Sequence, residues 1–243
     1  MEPFIMNKKI NTQEVFYNAR WKDFNHINSL KLKRCIAILE GISSIDMKYP
    51  SILDLGSGNG WLTSILDLLG PTVGIDLSDV AIQNSQERYP HAYFINADIL
   101  NWDFKGEKFD IIVSQEVIEH VEDQKKYIHI IHNLLRPGGY LILTTPNKKM
   151  FEAFPKDQQI LWSNQPIENW LSMGDLEKLI LPVFSIIKIK TIISGFDAKG
   201  IFRYLNSYKV KKIMRILNLS IVYENLYLYL GFGLHLFLIA KKK

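Results

Sequence analysis

From residue 51 to residue 146 the chain alternates short apolar runs with helical stretches, and this alternation constrains the fold more than any other feature. SILDL (51–55), TVGIDLS (72–78), AYFINAD (92–98), FDIIVSQE (109–116) and YLILTTP (140–146) read as strands. WLTSILDLLG (61–70), AIQNSQERY (81–89) and the segment from the fourth strand to about residue 135 read as helices, and RPGG (136–139) as a turn. Strand, helix, strand, helix is the pattern of a parallel sheet covered on both faces, with right-handed crossovers. Ligands of such sheets bind beyond the carboxyl ends of the strands, where the strand order reverses. The residues that follow each strand are therefore the ones to read for chemistry.

The flanks complete this plan. Residues 12–45 read as helical, with Leu30, Ile36, Leu39 and Ile42 at helical spacing. Residues 147–170 form a long connection rich in Pro, Asn, Gln and aromatic residues. A helix over 172–181, a strand over 183–195, an inserted helical segment over 197–230 and a closing strand over 233–241 follow. The expected fold is a doubly wound α/β domain with a mostly parallel seven-stranded sheet and an antiparallel last strand. A chain of 243 residues suits one such domain.

Charge and cysteine usage exclude more than they identify. The net charge of +4 is a weak excess, and the cluster Lys209, Lys211, Lys212 and Arg215 reads as a solvated helix face rather than a nucleic-acid stripe. Cys35 is the single cysteine, so no intrachain disulfide forms, in keeping with a reducing cytoplasm. It sits in a helical pattern and reads as a small core residue. No signal-peptide pattern opens the sequence. The longest apolar run, 226–240, is short for a membrane span and contains two glycines and His235, so its end reads as a buried strand.

Asp54-Leu55-Gly56-Ser57-Gly58-Asn59-Gly60 follows the first strand and opens a helix. Glycines let a backbone turn sharply and approach a ligand closely, and a helix N-terminus favours an anionic group. Alone this is a tight strand-to-helix loop. Asp76 ends the second strand, where a carboxylate can accept both hydroxyls of a ribose. Asp98 follows the third strand, where it can accept from an adenine amino group with Ile99 against the ring.

These segments together resemble the class I S-adenosylmethionine-dependent methyltransferases. ILDLGSGNG resembles the family's first motif, VGIDLS its second, NADIL its third, FDIIVSQEVIEHV its fourth, and LLRPGGYLILTTPN the segment after it. The resemblance is close over residues 50–147 and looser through the last strand. It implies that Gly56, Ser57, Gly58 and Gly60 line the methionine part of S-adenosylmethionine and that Asp54 orders the glycine turn. It further implies that Asp76 with Leu77 holds the ribose, that Asp98 and Ile99 contact the adenine, and that Gln115 faces the sulfonium region. The chain then divides into a helical lid (1–48), a cofactor-binding half (49–147) and an acceptor-side half (148–243). A nicotinamide-dependent oxidoreductase is the nearest rival, but its fingerprint is G-x-G-x-x-G, and here the third glycine comes one place early with Trp61 in its position. A non-catalytic cofactor-binding module is the other competing class.

Methyl transfer from a sulfonium mainly requires alignment, and a base only where the nucleophile must lose a proton. His120, just beyond the fourth strand, is the candidate catalytic base; a capping or packing histidine is the alternative. FYNARWKDF (16–24) resembles the leading helix that covers the cofactor in related small-molecule enzymes. Tyr17, Arg20 and Trp21 are then lid residues, with Arg20 a partner for the methionine carboxylate, or else part of a plain amphipathic helix. NQPIENWLS (164–172) places Gln165, Glu168 and Trp170 at the acceptor side. The expected acceptor is a small molecule, a hydroxyl on a sugar or natural-product scaffold ahead of a quinone precursor. An RNA 2′-O-methyltransferase is the runner-up, since EVIEH and TTPN also resemble that group. On a helix, Glu116, Glu119 and His120 would share a face and could hold a divalent ion. The RNA enzymes add a histidine after the fifth strand, and none occurs here between Thr144 and Trp170, so Glu168 or Gln165 would have to substitute. No metal is assigned.

Overall fold

The structure, a computed structural model, describes residues 3–23, 27–156, 159, 165–194, 204–205 and 207–243, with side chains of the first helix from Thr12 to Lys22. Its centre is a seven-stranded sheet in the order β3-β2-β1-β4-β5-β7-β6. The strands are β1 (Ile52–Leu55), β2 (Thr72–Asp76), β3 (Tyr93–Asn96), β4 (Phe109–Gln115), β5 (Leu135–Pro146), β6 (Phe184–Ser194) and β7 (Gly233–Lys242). The first five run parallel, and β7 runs antiparallel to both β5 and β6, as expected. The order reverses between β1 and β4, so the carboxyl ends of these two strands flank the crevice where a ligand binds.

Both faces of the sheet are buried because successive side chains point to opposite sides and both sets are apolar. Ile112, Leu141 and Leu143 pack on one side with Tyr127, Ile131 and Phe184. Ile111, Val113 and Ile142 pack on the other with Ile38, Leu66 and Phe237. Helices α1 (Pro3–Asp23), α2 (Ser29–Ser43), α3 (Trp61–Leu66), α4 (Asp79–Arg88), α5 (Gln124–Leu134), α6 (Lys148–Phe151) and α7 (Met173–Ile180) surround the sheet. In α2 the buried Cys35, Ile38 and Ile42 form the sheet-facing stripe. A Cβ on its Gly41 would come within 2.9 Å of the Phe237 ring, so glycine lets the helix lie close to β7. Helix α7 begins with a capping box between Ser172 and Asp175.

Four local expectations are corrected. The leading helical region is two helices: Asn28 caps α2 by accepting from the Lys31 amide at 2.9 Å. That break frees α1 to leave the sheet face and reach the carboxyl ends of the strands. The helix after β4 begins only at Gln124; residues Ile118–His120 make a single 3₁₀ turn. Residues 136–139 belong to β5, whose start pairs Leu135 with Phe109 across an irregularity that takes up the glycines. The long connection after β5 is not wholly irregular, because it contains α6 and pairs Asn147 with Leu171. The insertion before β7 contains helices α8 (Tyr208–Ile216) and α9 (Ser220–Tyr229); its residues 197–203 and 206 lie outside the described residues.

Candidate active site

The turns after β1, β2, β3 and β4 line one cavity of about 630 Å³, and α1 contributes Gln13, Tyr17, Arg20 and Trp21 to its wall. Side-chain bonds fasten α1 there. Tyr17 donates to Gln165 Oε1 at 2.9 Å, and Gln13 donates to the His120 carbonyl at 3.0 Å. Helix α1 therefore forms part of the cavity wall.

Gly56, Gly58 and Gly60 have φ of +73°, +53° and +75°, a left-handed backbone that disfavours any side chain. Space excludes one as well: a Cβ on Gly58 would fall 2.7 Å from the Trp21 ring of the lid. Gly60 differs from its expected role, because it does not line the cavity. It is the N-cap position of α3, packed beneath Phe94 and Ser85. Asp54 is buried and accepts from Thr63 Oγ1 at 2.6 Å, which pins the turn to α3. Burial pushes its carboxyl up to about 7 against the Thr63 bond, with the nearby Asp76 charge adding to the rise.

Asp76 accepts from the Gly58 amide at 2.8 Å and from the Ser78 amide at 2.9 Å. Burial raises its carboxyl, opposed by these backbone bonds. The Leu77 amide also bonds to it, and a carboxylate has about four lone-pair sites, so acceptor capacity remains for a hydroxyl donor from the cavity. Asp98 accepts from the Leu100 amide at 3.0 Å and Asn101 Nδ2 at 2.6 Å, which fixes its carboxylate beside Ile99 at the cavity wall. Ser57 Oγ and Gln115 Nε2 are buried, line the cavity, and have no hydrogen-bond partner among the described residues. Buried polar atoms require partners, and a methionine-bearing nucleoside placed here would supply them. The residues thus fit S-adenosylmethionine.

Glu116, Glu119 and His120 do not share a helix face. Glu116 has φ +58°, a strained conformation for a side-chain-bearing residue. Its carboxylate turns toward Arg34 Nη1 at 3.7 Å and His235 Nδ1 at 2.9 Å, and accepts from Thr144 Oγ1 at 2.9 Å. Burial alone would raise this carboxyl, but the charges of Arg34 and His235 and the bonds from His235 and Thr144 outweigh it and hold it at about 2. Glu119 instead accepts from Thr145 Oγ1 at 2.9 Å, and burial with the Glu116 charge raises it well above the carboxylate range. Among the described residues no group of three or more His, Cys, Asp or Glu has the geometry to hold a metal ion.

His120 lines the cavity beside Glu119 and Glu168. Its Nδ1 lies 2.9 Å from the Ile167 carbonyl. A carbonyl only accepts, so Nδ1 carries the hydrogen and Nε2 the lone pair. Burial lowers its pKa below the usual 6.5 despite that bond and the Glu116 charge, leaving the ring neutral at pH 7. Glu168 accepts from Trp170 Nε1 at 2.7 Å, and burial pushes its carboxyl up to about 7.

Among the cavity residues that sequence reasoning missed are Lys31, Arg34 and His235. Lys31 lies 5.4 Å from the centre of the Trp21 ring, and burial followed by the charges of Arg34 and Arg20 lowers it to about 8. His235 reads in sequence as one polar residue in an apolar strand. The antiparallel pairing of β7 with β5 sets it opposite Pro146 at the carboxyl end of the sheet, so topology alone could have placed it.

Residues 48–216 match the family model described as a methyltransferase domain. A ubiquinone biosynthesis O-methyltransferase of Coxiella burnetii is 31% identical over 141 residues, covering 56% of this chain and 57% of that protein. One from Cereibacter sphaeroides is 29% identical over 199 residues, covering 75% and 78%. The match to a probable S-adenosylmethionine-dependent methyltransferase of Mycolicibacterium smegmatis, 27% identical, covers 41% of this chain and 39% of that protein. The chain thus spans about four- to six-tenths of the length of the first relatives it matches. In structure it resembles a protein of Pyrococcus horikoshii with a TM-score of 0.64 at 17% identity, over 93% of this chain and 99% of the other. It also resembles the N-methyltransferase NodS of Bradyrhizobium japonicum in complex with S-adenosyl-L-homocysteine, with a TM-score of 0.58 at 16% identity over 97% and 95%. With the motif turns, the strand order and the family match in agreement, the chain belongs to the class I S-adenosylmethionine-dependent methyltransferases.

Proposed function

We propose that this protein transfers a methyl group from S-adenosylmethionine to a hydroxyl oxygen of a small, ring-bearing acceptor. When bound, the cofactor supplies an electrophilic methyl group on a neutral leaving sulfur. Asp76 takes the ribose hydroxyls, Asp98 and Ile99 flank the adenine, and Ser57 and Gln115 donate toward the methionine end. Arg20, Lys31 and Arg34 line the cavity and the charges of Arg34 and Arg20 act against that of Lys31; a methionine carboxylate among them relieves that repulsion. Lys31 thus joins Arg20 in the role expected from sequence for Arg20 alone.

His120 is the observation that carries the oxygen acceptor. It is neutral, its tautomer is set by the Ile167 carbonyl, and Nε2 retains the lone pair. A base held this way removes the proton that a hydroxyl must lose and that a neutral amine need not lose before attack. Phe151 and Trp170, with ring centres 5.3 Å apart, line the same cavity, and tilted aromatic walls suit the face of a flat ring. For that reason, and because relatives carry the name ubiquinone biosynthesis O-methyltransferase, a phenolic ring moves ahead of the sugar scaffold favoured from sequence.

The test is a panel of catechols, other phenols, sugars, amines and a structured RNA incubated with enzyme and S-adenosylmethionine. A gain of one methyl group on phenolic compounds, abolished in His120→Ala, supports the reading. Transfer only to amines or only to RNA overturns it. So does calorimetry that shows binding of a nicotinamide dinucleotide and none of S-adenosylhomocysteine.

A further inference from the structure

The helical insertion between β6 and β7 leaves an unusual surface. Its inner side is anchored: Tyr227 is buried, Thr191 Oγ1 donates to the Leu228 carbonyl at 2.5 Å, and Ser194 Oγ donates to Glu224 at 3.1 Å. Its outer side is apolar and exposed. Ile216 is 71% exposed, Ile221 76%, Tyr208 76% and Tyr229 87%, with Ile213 and Val222 also exposed. Exposed apolar residues of this size, gathered on two helices that pack on each other, mark an interaction surface. Around them stand Lys209, Lys211, Lys212 and Arg215, against the single carboxylate of Glu224 over residues 207–230. On α8, Lys209, Lys212 and Arg215 follow one another at three-residue spacing along one flank, Ile216, four after Lys212, lies among them, and Ile213 lies on the adjoining flank. The charges alone read as a solvated helix face. The exposed apolar residues beside them change that reading.

We propose that this hairpin, α8 and α9, docks the protein on an anionic lipid surface. Short helices with exposed aliphatic and aromatic residues bordered by cations bind in the interface plane, their apolar side among acyl chains and their cations on headgroups. Charge favours lipid over a second copy of the chain. A two-fold contact sets the same patch against itself and would bring the four cations together. No helix among the described residues is long and apolar enough to cross a membrane, so the attachment is peripheral. The hairpin also springs from the end of the sheet that carries the cavity. Ser194 pairs with Gly233, and Asn147, next after β5, donates to the Gly231 and Gly233 carbonyls at 3.1 and 2.8 Å. Docking therefore holds the cavity end of the sheet near the lipid.

Flotation of the full chain with vesicles tests this. Vesicles of phosphatidylcholine with one part in three phosphatidylglycerol should carry the protein, and pure phosphatidylcholine should carry it at least tenfold less. High salt should weaken the binding. Each neutralised cation should cost roughly fivefold, so Lys209→Gln, Lys212→Gln and Arg215→Gln together should cost on the order of a hundredfold. Ile216→Asp and Ile221→Asp should abolish flotation while melting temperature and S-adenosylhomocysteine affinity stay at wild-type values. Failure to float at any composition overturns the proposal, as does flotation that the triple variant retains. A solution dimer that Ile221→Asp dissociates, with no vesicle binding, would identify the occupant as a second copy instead.

Discussion

At the scale of single residues, the site is governed by which carboxyls burial leaves charged. Asp76 is buried yet offers its remaining lone pairs to the cavity, and hydrogen bonds to a charged group contribute about 1.5–3 kcal/mol each. Asp76→Ala is therefore expected to weaken S-adenosylhomocysteine binding at least tenfold by calorimetry, while Asp76→Asn, which still accepts, loses less. His120→Ala should lower kcat by roughly 10²- to 10⁴-fold with little change in cofactor affinity. Because burial lowers the His120 pKa, the acid limb of kcat/KM should have its midpoint below 6.5 and should vanish in the variant. Glu116 lies beside these groups but has another task. Arg34 pairs with it, His235 and Thr144 bond to it, and Glu119 favours its neutral form, so the pair lacks the free charge that would attract a divalent ion. Enzyme stripped in chelator is expected to keep its activity; restoration of lost activity by magnesium or manganese would refute this.

At the scale of elements, the same Glu116 joins three of them: Arg34 comes from α2, Glu116 from the end of β4 and His235 from the start of β7. Removing one partner of a buried ion pair leaves an uncompensated charge, which costs about 3–5 kcal/mol. Arg34→Met should therefore lower the melting temperature by roughly 10 °C, at about 2–4 °C per kcal/mol for a domain of this size. The pH dependence has a definite sign. The folded pKa of Glu116, about 2, lies below its ordinary 4.5, so its stabilisation is present above pH 4.5 and is lost as pH falls through 2. Glu116 was legible at the end of its strand, but its pairing was not, because the partners are 82 and 119 residues away along the chain and only the packing of α2 and the antiparallel return of β7 bring them together. The turns after β1, β2 and β3 were legible, since each is a local motif read directly from the residues that end a strand. EVIEH misled for the opposite reason. Its spacing suits a helix, but the left-handed Glu116 and the short 3₁₀ turn redirect two carboxylates to different partners.

At the scale of the whole molecule, the sheet supplies a rigid floor and α1 a wall whose side-chain bonds include Gln13 to the His120 carbonyl, Tyr17 to Gln165, Ser78 to Asn18 at 2.6 Å and Asn84 to the Trp21 carbonyl at 3.3 Å. The mostly parallel sheet with its antiparallel last strand followed from the alternation of apolar runs, whereas the seat of α1 depends on these side-chain contacts and on Trp21 filling the space above Gly58 that the missing Cβ leaves. A ligand that bridges floor and wall should therefore bind the folded state alone and stabilise it. At a hundred times its dissociation constant such a ligand adds about 2.7 kcal/mol, or roughly 5–11 °C in melting temperature. S-adenosylhomocysteine is expected to produce that shift and a nicotinamide dinucleotide none. Trp21→Ala separates floor from wall. It removes the ring over the glycine turn but leaves the buried sheet intact, so the melting temperature without ligand should move little while the ligand-induced shift shrinks. A variant that melts much lower without ligand and keeps the full shift would show that Trp21 serves the fold and that α1 contributes nothing to holding the cofactor.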